Sequence, residues 1–361
     1  MPNKTARNSA RILAVSVLFL TALLSTAQAQ QSQWEALNQQ LSDMYGKGRY
    51  QEALPVAERA LTLAEQTFGA THLNVASSLN NLAEIYRMLN RPEQAEPLYQ
   101  RALIVAERSM GSESTLLAAA LNNLAELYRN KKDFTSAEPL YRRSMQIREK
   151  TLGAESADLA QSLNNLALLY ANQQMWEDAE PLYQRAMGIY KKAYGEQSPL
   201  VSATAGNLAE LYREQKKYKE AEELYLQAIA ISEKNSGAQH LSAASTRNNL
   251  GLLYVEQKKF KEAEKTFQQA LVIQEKAYGR DGTPVGTTLM NMASMYDEMG
   301  ELTKAETAWT RVLGIAEKFY GRNHAMLASP LNALAAIYQK QGKATQAAEF
   351  TARVAQLTPA K

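Results

Sequence analysis

Tyrosines stand at positions 86, 128, 170, 212, 254, 296 and 338, each 42 residues after the last. Glycines at 69, 111, 153, 195, 237, 279 and 321 keep the same step. Alanines at 53, 95, 137, 179, 221, 263, 305 and 347 mark eight copies. An unbroken period without insertions is the signature of a repeat architecture, in which each copy buries its apolar face only against its neighbours. The period also accounts for the length. At 361 residues the chain exceeds what a single hydrophobic core of roughly 250–300 residues fills, whereas a repeat array adds one slice of core per copy.

Within each copy the apolar residues follow helical spacing. Leu79, Leu82, Ala83 and Tyr86 fall at i, i+3, i+4 and i+7. Ala95, Leu98, Tyr99 and Ala102 repeat that spacing after the polar turn Asn90-Arg91-Pro92-Glu93. Each copy therefore reads as two helices, the second ending at a glycine such as Gly111 in a left-handed C′ conformation. No stretch alternates with period two, so no strand is predicted. The alanines let backbones approach closely while Tyr86 and Tyr99 fill the remaining space. An aromatic residue precedes the second helix in most copies: Tyr50, Phe134, Trp176, Tyr218 and Phe260. The end copies depart from the pattern with Met44 and Ala57 at one end and Ala333, Ala344 and Thr351 at the other. These read as the removal of large side chains from faces with no neighbour. Pro55, Pro97, Pro139 and Pro181 sit two residues after the marker alanine in the first four copies. Either the second helix bends there, so that the two halves of the chain curve differently, or it starts late and holds proline in its first turn.

The run Leu79-Asn80-Asn81-Leu82-Ala83-Glu84-Ile85-Tyr86, followed by Ala95, Tyr99 and Ala102, resembles the tetratricopeptide repeat. The 42-residue period, the Leu-Asn-Asn-Leu-Ala run and Gly195 opening the linker before Pro199 are similar to the kinesin light chain subtype, whose copies exceed the usual ~34 residues. The resemblance covers residues 34–357. It implies an all-α fold, a right-handed α-solenoid of about eight helix–turn–helix units whose first helices line a concave groove. It further implies a non-enzymatic scaffold that grips a peptide segment of a protein partner. Kinesin light chains are cytosolic motor adaptors, and motor binding is not carried over.

The first 29 residues read as an address. Lys4, Arg7 and Arg11 precede an apolar run from Ile12 to Leu24, then Ala27-Gln28-Ala29, with Ala27 and Ala29 at the −3 and −1 positions of a cleavage site. The 13 apolar residues are too few to span a ~30 Å hydrocarbon core at ~1.5 Å per residue, which disfavours a retained anchor. Cleavage leaves a tail over 30–33, the repeats over 34–357 and a tail over 358–361. The formal charge of +3 is carried by those three residues, so the remainder is neutral. The product is expected to be exported, to a bacterial periplasm or to the exterior, with no membrane span after cleavage. Its lack of cysteine excludes disulfides, thiol nucleophiles and cysteine-ligated zinc.

Candidate binding residues follow from the groove that the resemblance implies. Asn81, Asn123, Asn165, Asn207, Asn249 and Asn291 occupy one position, and Asn80, Asn122, Asn164 and Asn248, with Asn38 and Asn332, the position before it. Asparagine is a poor helix former, so so many in mid-helix require a reason. Their amides either bond the backbone of an extended peptide or fix the geometry between neighbouring copies. Glu84, Glu126 and Glu210 with Arg87, Arg129 and Arg213 flank them. They either select a charged peptide or form i,i+3 pairs along one helix.

The remaining motifs point away from chemistry. His72, His240 and His324 differ by multiples of 42 and share a linker position with Ser114, Ser156 and Ser198. They read as helix caps, not as ligands of one ion. Met290, Met292, Met295 and Met299 read mostly as core filler. No Gly-x-Ser-x-Gly, Walker, His-Glu-x-x-His or dinucleotide motif occurs, so no enzyme and no cofactor are expected. Lys216-Lys217 and Lys258-Lys259 are short runs beside glutamates, which disfavours nucleic acid as partner. The competing reading is a structural spacer or self-associating component of a cell-envelope complex, joined through the C-terminal copy.

Overall fold

The computed structural model describes residues 28–237 and 240–357. Among these every regular element is helical. The first helix, α1, spans 28–46. It is followed by α2 (Tyr50–Phe68), α3 (Leu73–Met88), α4 (Pro92–Met110), α5 (Thr115–Asn130), α6 (Phe134–Leu152) and α7 (Ala157–Asn172). Then come α8 (Trp176–Tyr194), α9 (Pro199–Glu214), α10 (Tyr218–Ser236), α11 (Leu241–Glu256), α12 (Phe260–Tyr278), α13 (Thr283–Glu298) and α14 (Leu302–Tyr320). A 3-10 turn over Ala325–Leu327 leads into α15 (Ala328–Lys340) and α16 (Ala344–Ala355). Odd-numbered helices are the first of each repeat and even-numbered ones the second, as the spacing predicts. The chain divides into two compact blocks, one ending at Met175 and one beginning at Trp176; each is an α-solenoid segment in which successive helices pack.

The core is built from the marker residues. Ala83, Ala95, Tyr99 and Ala102 are fully buried, and so are Ala221, Tyr225 and Ala228 in the second block. Burial of a tyrosine against two alanines lets the helices approach while one large ring fills the gap between repeats. Met292 and Met295 are buried, and Met290 and Met299 pack at the edge of the same cluster, consistent with filler.

Four local features depart from expectation. Residues 30–33 are not a tail but continue α1; Ser32 Oγ donates to the Gln28 carbonyl at 3.0 Å and Gln31 Nε2 to Glu35 Oε1 at 3.0 Å, bonds that extend the helix N-terminally. The prolines do not lie in a late first turn. Pro55 is the sixth residue of α2 and Pro97 the sixth of α4, yet these helices have the same 19 residues as proline-free α10 and α12. Each proline is exposed. The terminal glycines have positive φ but not the left-handed helical ψ: Gly153 sits at φ 88°, ψ 164°, an extended mirror conformation open essentially to glycine alone. Beyond it the chain turns so that the Ser156 N–H donates back to the Gly153 carbonyl at 3.3 Å. Ala57 does not face an empty end either. It is 1% exposed, and Tyr45 and Tyr50 pack edge to face at 5.4 Å in the same end repeat. At the other end Ala344 and Thr351 are exposed, and α16 buries only Ala347.

The leader with Ala27 lies outside the described residues, as does the tail over 358–361. Ala29 lies in the first turn of α1. No helix among the described residues is long and apolar enough to cross a membrane.

Candidate functional site

The asparagines of the first helices form a ladder. Asn81 Nδ2 donates to Asn38 Oδ1 at 3.0 Å, Asn123 to Asn80 at 3.1 Å and Asn165 to Asn122 at 3.1 Å. In the second block Asn291 donates to Asn248 at 3.0 Å. Each bond joins the second amide of one repeat to the first amide of the repeat before, which gives mid-helix asparagine its reason. Asn122 is buried, and most of the others are half-buried. One N–H and one carbonyl lone pair per rung are used internally, so the ladder retains donors and acceptors for a ligand.

Gly206 occupies the position that would pair with Asn249. Asn249 instead accepts a long 3.5 Å bond from Asn248. At this gap a cavity of 470 Å³ opens between α9, α10 and α11, lined by Asn207, Glu210, Tyr225 and Asn249 among others. A second cavity, of 250 Å³, lies between α1 and α3 and is lined by Asn38, Asn80, Asn81, Glu84 and Tyr45. Residues proposed from sequence thus line a cavity in each block.

The acidic and basic candidates pair locally. Arg87 grips Glu84 through two bonds of 2.8 and 2.5 Å and reaches Glu126 on the next repeat at 3.2 Å. Arg129 lies 3.7 Å from Glu126. Arg213 pairs with Glu210, with Glu214 and with Glu256 of the next repeat. Two phenols, Tyr99 at 2.7 Å and Tyr45 at 2.8 Å, also donate to Glu84. Tyr225 does the same for Glu210. Burial pushes the Glu84 carboxyl up, but the Arg87 hydrogen bond and charge and the two phenols outweigh it and hold it below the ordinary 4.5. Glu210 is lowered by the same balance, with burial opposed by Arg213 and Tyr225. In one repeat both the acid and the hydroxyl are replaced, with Leu252 at the glutamate position and Phe267 at the tyrosine position, whereas Leu168 occupies the glutamate position in a repeat that keeps Tyr183.

A second fastener was not among the sequence candidates. The marker tyrosine of each first helix donates to a glutamate on the second helix of the preceding repeat: Tyr128 to Glu96 at 3.1 Å, Tyr170 to Glu138 at 2.9 Å and Tyr254 to Glu222 at 2.9 Å. Tyr296 bonds Glu264 at 2.7 Å and Tyr338 bonds Glu306 at 3.0 Å. A lysine commonly covers the ring, as Lys304 does 5.1 Å from the Tyr296 centroid. The signal was present in the chain, since Glu96, Glu138, Glu180, Glu222, Glu264 and Glu306 keep the 42-residue step directly after the marker alanine.

The histidines cap helices as expected. His72 Nδ1 accepts from the Asn74 N–H at 3.2 Å and His324 Nδ1 from the Met326 N–H at 3.2 Å, while Ser114 Oγ accepts from the Leu117 N–H at 3.1 Å. Phe68 stacks on His72 at 4.9 Å, an aromatic support that serine could not use. No group of three or more potential ligands converges among the described residues.

A tetratricopeptide repeat model matches residues 26–108, 116–192, 158–234, 200–276 and 284–358. The chain belongs to the tetratricopeptide repeat family. No curated protein is similar enough in sequence to count as a match. Among solved structures, this tetratricopeptide repeat protein is similar to BtubC (BKLC) from P. vanneervenii at 25% identity and TM-score 0.53, over 68% of this chain and 93% of that one. It is likewise similar to a kinesin light chain with nearly identical TPR-like repeats from Podosopora anserina, at 25% identity and TM-score 0.50, over 57% and 98%. The quorum sensor NprR from B. thuringiensis shares the fold at 14% identity and TM-score 0.66, over 89% and 86%.

Proposed function

We propose that this protein is an exported, non-enzymatic scaffold that binds a peptide segment of a protein partner along its first-helix face. Its repeat family consists typically of protein-interaction modules, and its neighbours in fold include sensors such as NprR. The observation that carries the reading is the amide ladder with its two adjoining cavities, of 250 and 470 Å³. Half-buried amides with spare donors and acceptors suit the backbone of an extended peptide. Each contributes only ~0.5–1.5 kcal/mol, so affinity accumulates along the rungs.

Crosslinking in the exported fraction followed by pull-down identifies the partner, and Asn123→Ala with Asn165→Ala tests the face. The double variant is expected to lose the partner's peptide at temperatures where it remains folded by circular dichroism. Undiminished peptide binding by the folded variant sinks the groove reading and leaves the ladder as a purely internal fastener. Export rests on the basic, apolar and Ala27-Gln28-Ala29 segments of the leader. N-terminal sequencing of protein recovered outside the cytoplasm is expected to begin at Gln30.

A further inference from the structure

One position in the second helices changes occupant from repeat to repeat, and it controls what lies between that helix and the next. In α6 it is Arg148, 5% exposed. Its Nη1 donates to the Asp158 carbonyl at 2.7 Å, to Gln161 Oε1 at 3.1 Å and to Ser162 Oγ at 2.9 Å, all on α7. This is a socket for a guanidinium built from neutral acceptors and filled by the chain itself. Other repeats fill it differently: in the first, Trp34 Nε1 reaches Ser78 Oγ at 2.8 Å. In α8 the position is Tyr190, itself buried.

In α12 the same position is Gln274, and the three acceptor positions become Pro284, Thr287 and Thr288 on α13. Glutamine is shorter than arginine and carries no guanidinium. A cavity of 380 Å³ remains, lined by Gln274, Thr288, Thr287, Pro284, Asn248 and Tyr278 among others, within the roughly 300–1,000 Å³ of ligand pockets. Gln274 is 6% exposed and Thr288 1%, yet Gln274 Oε1 and Thr288 Oγ1 have no hydrogen-bond partner. Two orphaned polar atoms, in two residues that line one cavity, are an exception to the pairing that buried polar groups show almost everywhere. The rim is reachable: Ser245, Thr283 and Thr287 are exposed and Tyr278 is 50% exposed. Asn248, also at the cavity, takes the ladder bond from Asn291, so the opening adjoins the amide ladder. The neighbouring 470 Å³ cavity, where the position is Ser232, is less telling. There Ser202 bonds both Ser232 and the Ala228 carbonyl, and Thr246 bonds the Ser242 carbonyl.

We propose that the cavity between α11, α12 and α13 takes a guanidinium from outside the chain, the arginine side chain of a peptide lying on the first-helix face. Arg148 supplies the template for the bound group. Gln274 Oε1 and the hydroxyls of Thr287 and Thr288 accept its N–H groups, as does the Pro284 carbonyl. Asp158 and Pro284 both lie in the first turn of their helices, where the helix dipole disfavours a cation. Arg148 is nevertheless held in that setting, and Pro284 presents no N–H to repel one. The proposal deepens the groove reading and rests on it only for the peptide source of the arginine.

The test uses the purified full chain and ligand-observed NMR with N-acetyl-arginine methylamide, its citrulline counterpart and agmatine. The blocked arginine is expected to bind at least about tenfold more tightly than the neutral citrulline compound. Tighter binding of the blocked arginine than of agmatine supports a peptide source, and the reverse order overturns that part. Gln274→Arg, which repeats the arrangement of Arg148, is expected to abolish binding while leaving the circular dichroism spectrum unchanged. Thr288→Val is expected to weaken binding about tenfold. Equal binding of citrulline, absence of arginine binding, or unchanged binding by folded Gln274→Arg each overturns the socket. If the blocked arginine binds while the Asn123→Ala, Asn165→Ala variant keeps the partner's peptide, the groove reading fails and the socket stands.

Discussion

At the scale of single residues, two features set local stability. The turn inside each repeat carries Gly48, Gly300 or Gly342 in three copies, but Asn90, Lys132, Gln174, Lys216 and Lys258 in the other five, all with φ between +57° and +76°. A side chain in this left-handed region is strained by roughly 1–2 kcal/mol. Lys216→Gly is therefore expected to raise the unfolding free energy, by about 1 kcal/mol after the added freedom of the unfolded chain is deducted; an unchanged or lower midpoint in urea would refute it. The second feature is Glu84. Its carboxyl titrates below 4.5 in the fold, so its contribution is fully present above that pH and is lost as pH falls through the lower, folded value. Glu84→Gln is expected to cost about 2 kcal/mol at pH 7, the scale of hydrogen bonds to a charged group. The gap between variant and wild type is expected to shrink steadily below pH 4.5, read from urea midpoints across the pH range. A gap independent of pH would show that packing, not charge, is lost.

At the scale of the helix pair, what the sequence made legible was whatever repeats with an apolar period. The alternation of α3, α4, α5 and their successors follows directly from Leu79, Leu82 and Ala83 and from Ala95, Tyr99 and Ala102. The caps at His72 and Ser114 were legible because capping is local. Partners on neighbouring repeats were not: that Asn123 bonds Asn80, or Tyr254 bonds Glu222, depends on how one repeat is rotated on the next, which no spacing within a repeat encodes. The ψ of Gly153 escaped for the same reason, since it is set by where the following cap must lie. The tyrosine–glutamate fastener provides the test of this level. Burial first, then the hydrogen bond and charge of Glu222, push the Tyr254 hydroxyl up to about 12. Tyr254→Phe removes that bond while keeping the ring, and is expected to cost about 1 kcal/mol. Glu222→Gln in the same background is expected to add little, because the pair acts as one interaction. Fully additive losses in a double-mutant cycle would show that the two side chains do not depend on each other.

At the scale of the whole chain, the order of unfolding should follow the order of the repeats. In the second block the outermost cluster of buried residues runs from Ala263 and Phe267 through Trp309 to Tyr338 and Ala347. Its outer end is thin. Within α16 only Ala347 is buried, Phe350 stacks on Tyr338 at 5.4 Å, and Val354 and Leu357 pack partly against the same cluster. In a solenoid, stability is approximately the sum of repeat terms and nearest-neighbour interfaces. Removal of everything after Lys343 deletes one such interface, and with three apolar side chains each about half buried the loss comes to about 3 kcal/mol. That loss should fall first on α15, which would have no partner on its outer side, and then on α14. Hydrogen exchange on the truncated protein is expected to show protection falling in α15 and α14 while α2 to α6 exchange as in the full chain. Equal loss of protection in all helices would mean that the repeats unfold as one unit, and that the last helix pair is an integral part of a single cooperative core.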